Sequence, residues 1–176
     1  MSVMDKLFSF NGRLRRRDWW LFVILLGIVS AILSGVAMNL MGVSIMALFP
    51  MGGAAPGDVS ATVTKVFEIQ CVVFLLFLWP GVALGVKRLH DRERPGWLLV
   101  VFYVMQLANQ AVTFTTARAG VGMMQPNPVR SIVSLLALAV GIWMLIELGC
   151  LDGTQGPNKY GPSPKGLGAE EVGFST

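Results

Sequence analysis

The densest group of chemically active side chains lies in the segment from Lys87 to Trp97, which reads KRLHDRERPGW. Seven of its eleven residues are Lys, Arg, Asp, Glu or His, and it contains the one histidine of the chain. Long apolar runs flank it, so it predicts a charged loop between two membrane spans. This segment could be only a charged hairpin that joins two spans. Alternatively, Arg88, His90 and Asp91 could form a site for proton transfer or ligand binding. Adjacent residues on a helix point in different directions, so His90 is expected to pair with a group from another segment.

A single histidine argues against metal chemistry. Structural zinc sites need four protein ligands and catalytic ones three, and no cysteine lies near His90 in the sequence. A Ser/His/Asp arrangement is also missing, because the other candidate members fall in apolar spans or on the far side of the membrane. We therefore predict no catalytic residue, no metal site and no cofactor, and we do not expect an enzyme.

A basic and aromatic cluster precedes the first apolar run. Arg13 and Arg16 are followed by Trp20, a residue type that is enriched at membrane interfaces. The cluster is either a topology determinant with an aromatic anchor or a site for anionic lipid head groups. In the second case each basic residue near the surface contributes about 1 kcal/mol.

A Gly/Pro-rich run from Gly153 to Pro164 follows the last apolar segment. Its two glycines at 156 and 161 lack the Lys-Ser/Thr pair that completes a phosphate-binding loop, and prolines remove the amide donors such a loop needs. The run instead predicts tight turns that pack under the membrane helices, with Asn158 and Tyr160 making the specific contacts.

Two acids lie within or near the predicted spans, where ionisable residues are functional candidates. Glu68 falls close to the outer end of the second span. Glu147 lies about one turn from the cytoplasmic end of the fourth. Each could mark a path through the membrane, and Glu147 could instead pair with an arginine of the cytoplasmic loops.

The composition requires a membrane to position these groups. Hydrophobic residues make up 54% of the 176 residues and charged residues 14%, whereas soluble domains carry about 25% charged residues. Apolar runs of roughly 18 or more residues predict transmembrane helices. We expect an all-α, four-helix transmembrane bundle in one domain over 1–165, followed by a flexible tail. The predicted spans are about 19–41, 66–86, 97–117 and 131–151, with loops at 42–64 and 118–130 and the tail at 166–176.

The basic residues predict the orientation. Eleven of the fourteen Lys and Arg residues lie before the first span, between the second and third, or after the fourth. Because cytoplasmic loops are enriched in Lys and Arg, both termini are predicted to be cytoplasmic. The position of the Lys and Arg residues beside the spans also accounts for the net charge of +4, so we do not expect nucleic-acid binding. Three pairs of small residues predict close helix packing, with or without self-association: Ala31/Gly35, Gly81/Gly85 and Ala137/Gly141.

Taken in order, three motifs resemble the domain-of-unknown-function 805 family (DUF805), small bacterial inner-membrane proteins of the YhaH type. The resemblance covers about 8–164, and its departures, such as Lys87 for a usual arginine and Pro95 for a usual serine, affect the central loop. It implies a multi-pass inner-membrane protein with its motifs gathered on the cytoplasmic face, and it implies no reaction. The matching residues are Gly12, Arg13, Arg16 and Trp20; Arg88 to Asp91 with Gly96 and Trp97; and Gly153 to Pro164.

The leading hypothesis is a non-enzymatic membrane protein whose cytoplasmic motifs bind an anionic lipid head group, a small anion or a partner. The alternative is a small oligomeric transporter or channel that uses Glu68 and Glu147, although the spans carry few other polar residues to line a path. The bilayer is the expected partner, and a homo-oligomer or a second membrane protein stays open. The candidate binding residues are Arg13, Arg16, Trp20, Arg88, His90, Asp91, Trp97, Asn158 and Tyr160.

Overall fold

A computed structural model describes residues 2–43, 56–119 and 127–166. Regular structure in these ranges is entirely helical, and it includes four helices long and apolar enough to cross a membrane. The predicted all-α transmembrane architecture is thereby confirmed. The elements are α1 (Val3–Phe8), α2 (Arg16–Leu40), α3 (Pro56–Asp91), α4 (Leu98–Arg118), α5 (Pro128–Leu145) and a π-helical turn (Ile146–Cys150) that continues α5.

Helix α3 begins earlier than the sequence indicated. The loop predicted over 42–64 assumed that Pro56 and its neighbouring glycine break the helix, yet Pro56 is the first helical residue. Proline is tolerated in the first turn because its missing amide hydrogen has no partner there in any case. The rest of that loop at 44–55, the breakers at 120–126 and the tail beyond Gly166 lie outside the described residues.

Small residues allow α3 and α4 to approach each other. A Cβ atom at Gly85 would lie 2.8 Å from the side chain of Leu99, and one at Gly81 would lie 3.0 Å from the hydroxyl of Tyr103. At Gly35 on α2, by contrast, an added Cβ would meet no described atom within 4 Å. The small residues of α3 therefore lie at a helix interface, whereas Gly35 faces open space.

A packed hydrophobic cluster lies at one end of the helices, and further buried apolar residues, among them Ile69, Val73 and Ala137, lie midway along α3 and α5. Only 6% of the apolar window of α2 and 6% of that of α4 is buried, so these helices expose most of their surface to lipid. The tightly packed cluster joins the segment before α2 to the first turns of α2 and α4 and to the last turns of α3 and α5. Its buried members are Leu14, Trp19, Leu84, Leu89, Leu99, Met144 and Leu148.

Replacement of Gly85 by valine is expected to destabilise the protein. The new side chain would overlap Leu99 in the core, and overpacking of this kind typically costs about 1–3 kcal/mol. The measurement is the thermal unfolding midpoint in detergent. Gly35→Val is the matched control, since it makes the same change on a face with room for it, and equal midpoints for the two variants would contradict the assigned interface.

Candidate functional site

The carboxylate of Asp91, the last residue of α3, lies at the centre of a buried charge cluster. One oxygen accepts a hydrogen bond from Nε of Arg13 at 2.9 Å, and the other accepts one from Nη1 of Arg88 at 2.5 Å. The side chains of Arg13, Arg88 and Asp91 are 1%, 0% and 4% exposed. Two arginines thus share one carboxylate, and residues far apart in sequence are joined.

Carbonyl groups of the C-terminal segment satisfy the remaining donors of Arg13. Its Nη1 donates to the Gly156 carbonyl at 2.7 Å and its Nη2 to the Thr154 carbonyl at 2.5 Å. The amide of Thr154 in turn donates to the backbone carbonyl of Asp91 at 2.8 Å. Gly153 passes so close that a Cβ atom there would lie 1.8 Å from the Asp91 carboxylate. The C-terminal segment is therefore fitted directly onto the charge cluster.

Arg88 closes the end of α5. The last carbonyls of a helix have no partner within it and carry its negative end, and the π-helical turn presents several of them to the cluster. Nε of Arg88 donates to the Leu148 carbonyl at 2.8 Å, and its Nη2 donates to the carbonyl of Leu151. Arg88 is therefore a cap for α5 as well as a partner of Asp91.

The first motif contributes to the same helix end. Nε1 of Trp20 donates to the Gly149 carbonyl at 3.0 Å, and Nη1 of Arg16 donates to the Cys150 carbonyl at 2.8 Å. Gly149 lies against the ring of Trp20, where an added Cβ would approach to 2.8 Å. Trp20 and Arg16 thus bind the backbone of another helix.

His90 contacts the C-terminal segment, as expected from its position on the helix. Its ring stacks on that of Tyr160, with centroids 3.8 Å apart and planes inclined by 6°. Asn158 fixes this pair: its Nδ2 donates to the His90 carbonyl at 3.0 Å, and its Oδ1 accepts from the Tyr160 amide at 2.9 Å. Within the described part of the chain, Nδ1 of His90 has no hydrogen-bond partner.

Eight of the nine candidate residues therefore meet in one layer, which we call the polar cap. Trp97 is the exception, because its side chain is 61% exposed and none of the hydrogen bonds found in the described segments joins it to this layer. The members of the polar cap are Arg13, Arg16, Trp20, Arg88, His90, Asp91, Asn158 and Tyr160.

The two acids occupy different surroundings. Glu147 lies in the π-helical turn, buried beside the cap, with one carboxylate oxygen 3.5 Å from Nε of Arg92 and 3.3 Å from Nε of Arg94. This is the pairing with arginines of the central loop that the sequence suggested as one alternative. Glu68 is exposed on α3, far along the helix from the cap.

Lys87 is a buried cation, whereas the sequence indicated it only as a basic residue of the central loop and as a departure from the family motif. Its Nζ donates to the carbonyls of Asp5 and Lys6 at 2.7 and 2.5 Å, and its own carbonyl accepts from the Leu14 amide at 3.2 Å. Short helix α1 is thus held against α3. A capping box between Ser2 and Asp5 closes the N-terminus of this helix.

A cavity of about 520 Å³ opens beside the cap, between the segment before α2 and the C-terminal turns. Its wall includes four cationic residues and one acid. The charged members are Lys6, Arg13, Arg15, Arg17 and Asp18, and the C-terminal side runs from Tyr160 to Pro164. Across the described ranges, no group of three or more His, Cys, Asp or Glu side chains is arranged to hold a metal ion.

Comparison with known proteins identifies the family. The model of a family described as "Protein of unknown function (DUF805)" matches residues 7–162. The chain belongs to the DUF805 family. The Escherichia coli K12 protein YiiR is 32% identical over 164 residues, covering 92% of this chain and 89% of YiiR.

Two further relatives, both from Escherichia coli K12, carry the name inner membrane protein. YhaI is 25% identical, covering 94% of this chain and 93% of YhaI, and YhaH is 24% identical, covering 94% of each. No solved structure matches the chain. Together with the four membrane-length helices, these relatives support the predicted multi-pass protein of the bacterial inner membrane.

Replacement of Asp91 by asparagine is expected to destabilise the protein strongly. Removing one partner of a buried ion pair typically costs about 3–5 kcal/mol, and here two buried guanidinium groups would lose their carboxylate. The measurement is again the thermal unfolding midpoint in detergent. Asp152→Asn provides the matched control, because that carboxylate is 62% exposed and lies 3.7 Å from Arg16, an arrangement worth about 0–1 kcal/mol. Similar unfolding midpoints for the two variants would contradict the conclusion that the Asp91 carboxylate holds the buried charge cluster together.

Proposed function

We propose that this member of the DUF805 family is a non-enzymatic membrane protein that binds the phosphate of an anionic lipid head group beside its polar cap. The observation that carries the proposal is the cavity of about 520 Å³, whose wall has four cationic residues and one acid. An excess of positive charge in a concave site attracts anions. Arginine suits phosphate in particular, because its planar donors match phosphate oxygens in pairs.

The cations of the cavity are not equivalent. Arg13 is fully engaged by Asp91 and the C-terminal carbonyls, and Lys6 forms an ion pair with Asp18 at 2.8 Å. Arg15 uses Nε to hold the Pro164 carbonyl. The side chain of Arg17 is 81% exposed, with Nε 4.0 Å from Asp18. Arg17, helped by the terminal nitrogens of Arg15, is therefore the group we assign to the phosphate.

The place of this cavity favours a lipid over a dissolved ligand. Arg15 and Arg17 lie at the start of α2, next to Trp20, a position typical of residues at the head-group layer. With both termini in the cytoplasm, as the basic residues predict, this layer is the leaflet whose anionic lipids attract basic segments. Free phosphate shares the chemistry of the head group, so the experiment must distinguish the two sources.

The transporter alternative has less support. Glu147 is paired with Arg92 and Arg94 beside the cap, while Glu68 is exposed on α3, so the two acids do not suggest a shared path. Self-association and contact with another membrane protein stay predictions. The arrangement of cations at the cavity gives head-group binding the stronger argument.

The test is lipid titration in detergent followed by native mass spectrometry, with dioleoyl phosphatidylglycerol compared with dioleoyl phosphatidylcholine. Arg17→Gln is expected to weaken phosphatidylglycerol binding about fivefold, the equivalent of about 1 kcal/mol for one basic residue at a lipid surface. Phosphatidylcholine should bind more weakly to the wild type. Arg118→Gln is the matched control, since it also removes one positive charge, but at the end of α4 that lies far from the polar cap.

Three outcomes of the lipid titration would contradict the proposal. They are equal binding of the two lipids, equal loss in Arg17→Gln and Arg118→Gln, and no binding of either lipid. Competition with inorganic phosphate separates the sources: displacement of the lipid by phosphate at millimolar concentration would indicate a soluble-anion site instead of a head-group site.

A further inference from the structure

A second, apolar opening lies deeper between the helices. It has a volume of about 360 Å³ and is bounded by α2, α3, α4 and the end of α5. Glycines form much of its wall, at positions 27, 81, 85 and 141, and the remaining lining is apolar apart from Ser30 and Tyr103. Because the hydroxyl of Ser30 donates to the Gly27 carbonyl at 2.9 Å, its polarity is satisfied within α2. We call this opening the apolar cleft.

The apolar cleft has the depth of one membrane leaflet. On α2 its lining runs from Trp19 to Ser30, which at about 1.5 Å per residue is about 16 Å. Half of a hydrocarbon core of about 30 Å is about 15 Å. Trp19 and Leu148 belong to the packed cluster under the polar cap, so the cleft begins at the cap and ends near the membrane midplane.

The cleft is open to the bilayer along α2. A Cβ atom at Gly27 would meet no described atom within 4 Å, and neighbouring Ile24 and Ile28 are exposed. An apolar opening at this depth is filled by hydrocarbon, since water would find few polar partners there. A helix from a second copy cannot lie inside the cleft, because a helix about 10 Å wide and 16 Å long occupies more than about 1,000 Å³.

We propose that the apolar cleft holds an acyl chain of the same anionic lipid whose phosphate lies in the basic cavity. This inference rests on the proposed function and adds that the ligand is a long-chain membrane lipid. Both openings adjoin the same packed cluster, because Leu14 lines the cavity, Trp19 lines the cleft, and both residues belong to that cluster. A lipid at the cap-side surface reaches both with its head group at the interface and its chain in the same leaflet.

The test fills the cleft and compares two lipids that share a head group and differ in their acyl chains, one pair long and the other short. Gly27→Phe and Ser30→Phe each add a ring to the wall, and Gly35→Phe adds the same ring to an open part of α2 outside the cleft. Dioleoyl and dihexanoyl phosphatidylglycerol are titrated by native mass spectrometry. We expect both cleft variants to bind the dioleoyl lipid at least tenfold more weakly, to bind the dihexanoyl lipid as the wild type does, and Gly35→Phe to leave both unchanged.

Unchanged dioleoyl binding in both cleft variants would overturn the acyl-chain inference and leave head-group binding intact. If the wild type binds neither lipid, the proposed function itself fails. A measurement on the wild type avoids dependence on the folding of the variants: phosphatidylglycerol with a diazirine in mid-chain is photo-crosslinked in vesicles. Stronger labelling of lining residues such as Val23 and Phe77 than of exposed residues such as Ile32 supports the inference, whereas labelling of the lining residues that is no stronger than that of Ile32 overturns it.

Discussion

The fold at the polar end of this protein depends on one carboxylate shared by two buried arginines. Removal of each charge from water costs several kcal/mol, so Arg13, Arg88 and Asp91 are tolerable only where every donor finds an acceptor. They do so because the segment before α2, the end of α3 and the C-terminal turns converge there. The cluster therefore requires that convergence, and it favours one mutual arrangement of segments that would otherwise be joined only through lipid-exposed helices.

The buried cluster contains two arginines and one carboxylate, so it carries a net positive charge. The partial negative charges at the C-terminal ends of helices compensate for this excess. Both α3 and the π-helical continuation of α5 terminate at this layer, and each helix C-terminus carries roughly half a negative charge. Arg88 and Arg16 donate to carbonyls of the α5 end, and Arg88 is itself in the last turn of α3. The second arginine is therefore matched by backbone dipoles rather than by a second acid, which explains how an excess of arginine is stable here.

Local patterns in the sequence predicted most of the architecture. Apolar runs indicated four membrane helices, and the polar motifs at Arg13, Asp91 and Asn158 were expected to meet because they fall on the same predicted side. The early start of α3 at Pro56 and the π-helical turn were not predicted. The start of α3 depends on whether a proline begins a helix or interrupts one, which the residue type alone does not decide. The π-helical turn accepts hydrogen bonds from Arg88 and Trp20, and these donors reach α5 only in the folded chain. Lys87 was missed for the same reason, because its partners are backbone carbonyls, which no side-chain pattern marks.

In the proposed function, the group that binds the phosphate lies apart from the buried charge cluster. Arg13, Arg88 and Asp91 satisfy one another and the backbone, so a ligand could bind them only by displacing contacts that hold three segments together. Arg17, at the edge of the same layer, holds no segment in place, because its side chain is 81% exposed and its Nε lies 4.0 Å from the carboxylate of Asp18. If the cavity binds lipid as proposed, loss of a residue of the polar cap abolishes binding because the walls of the cavity separate, whereas loss of Arg17 lowers the affinity alone. Stability and binding measured together therefore separate the two roles.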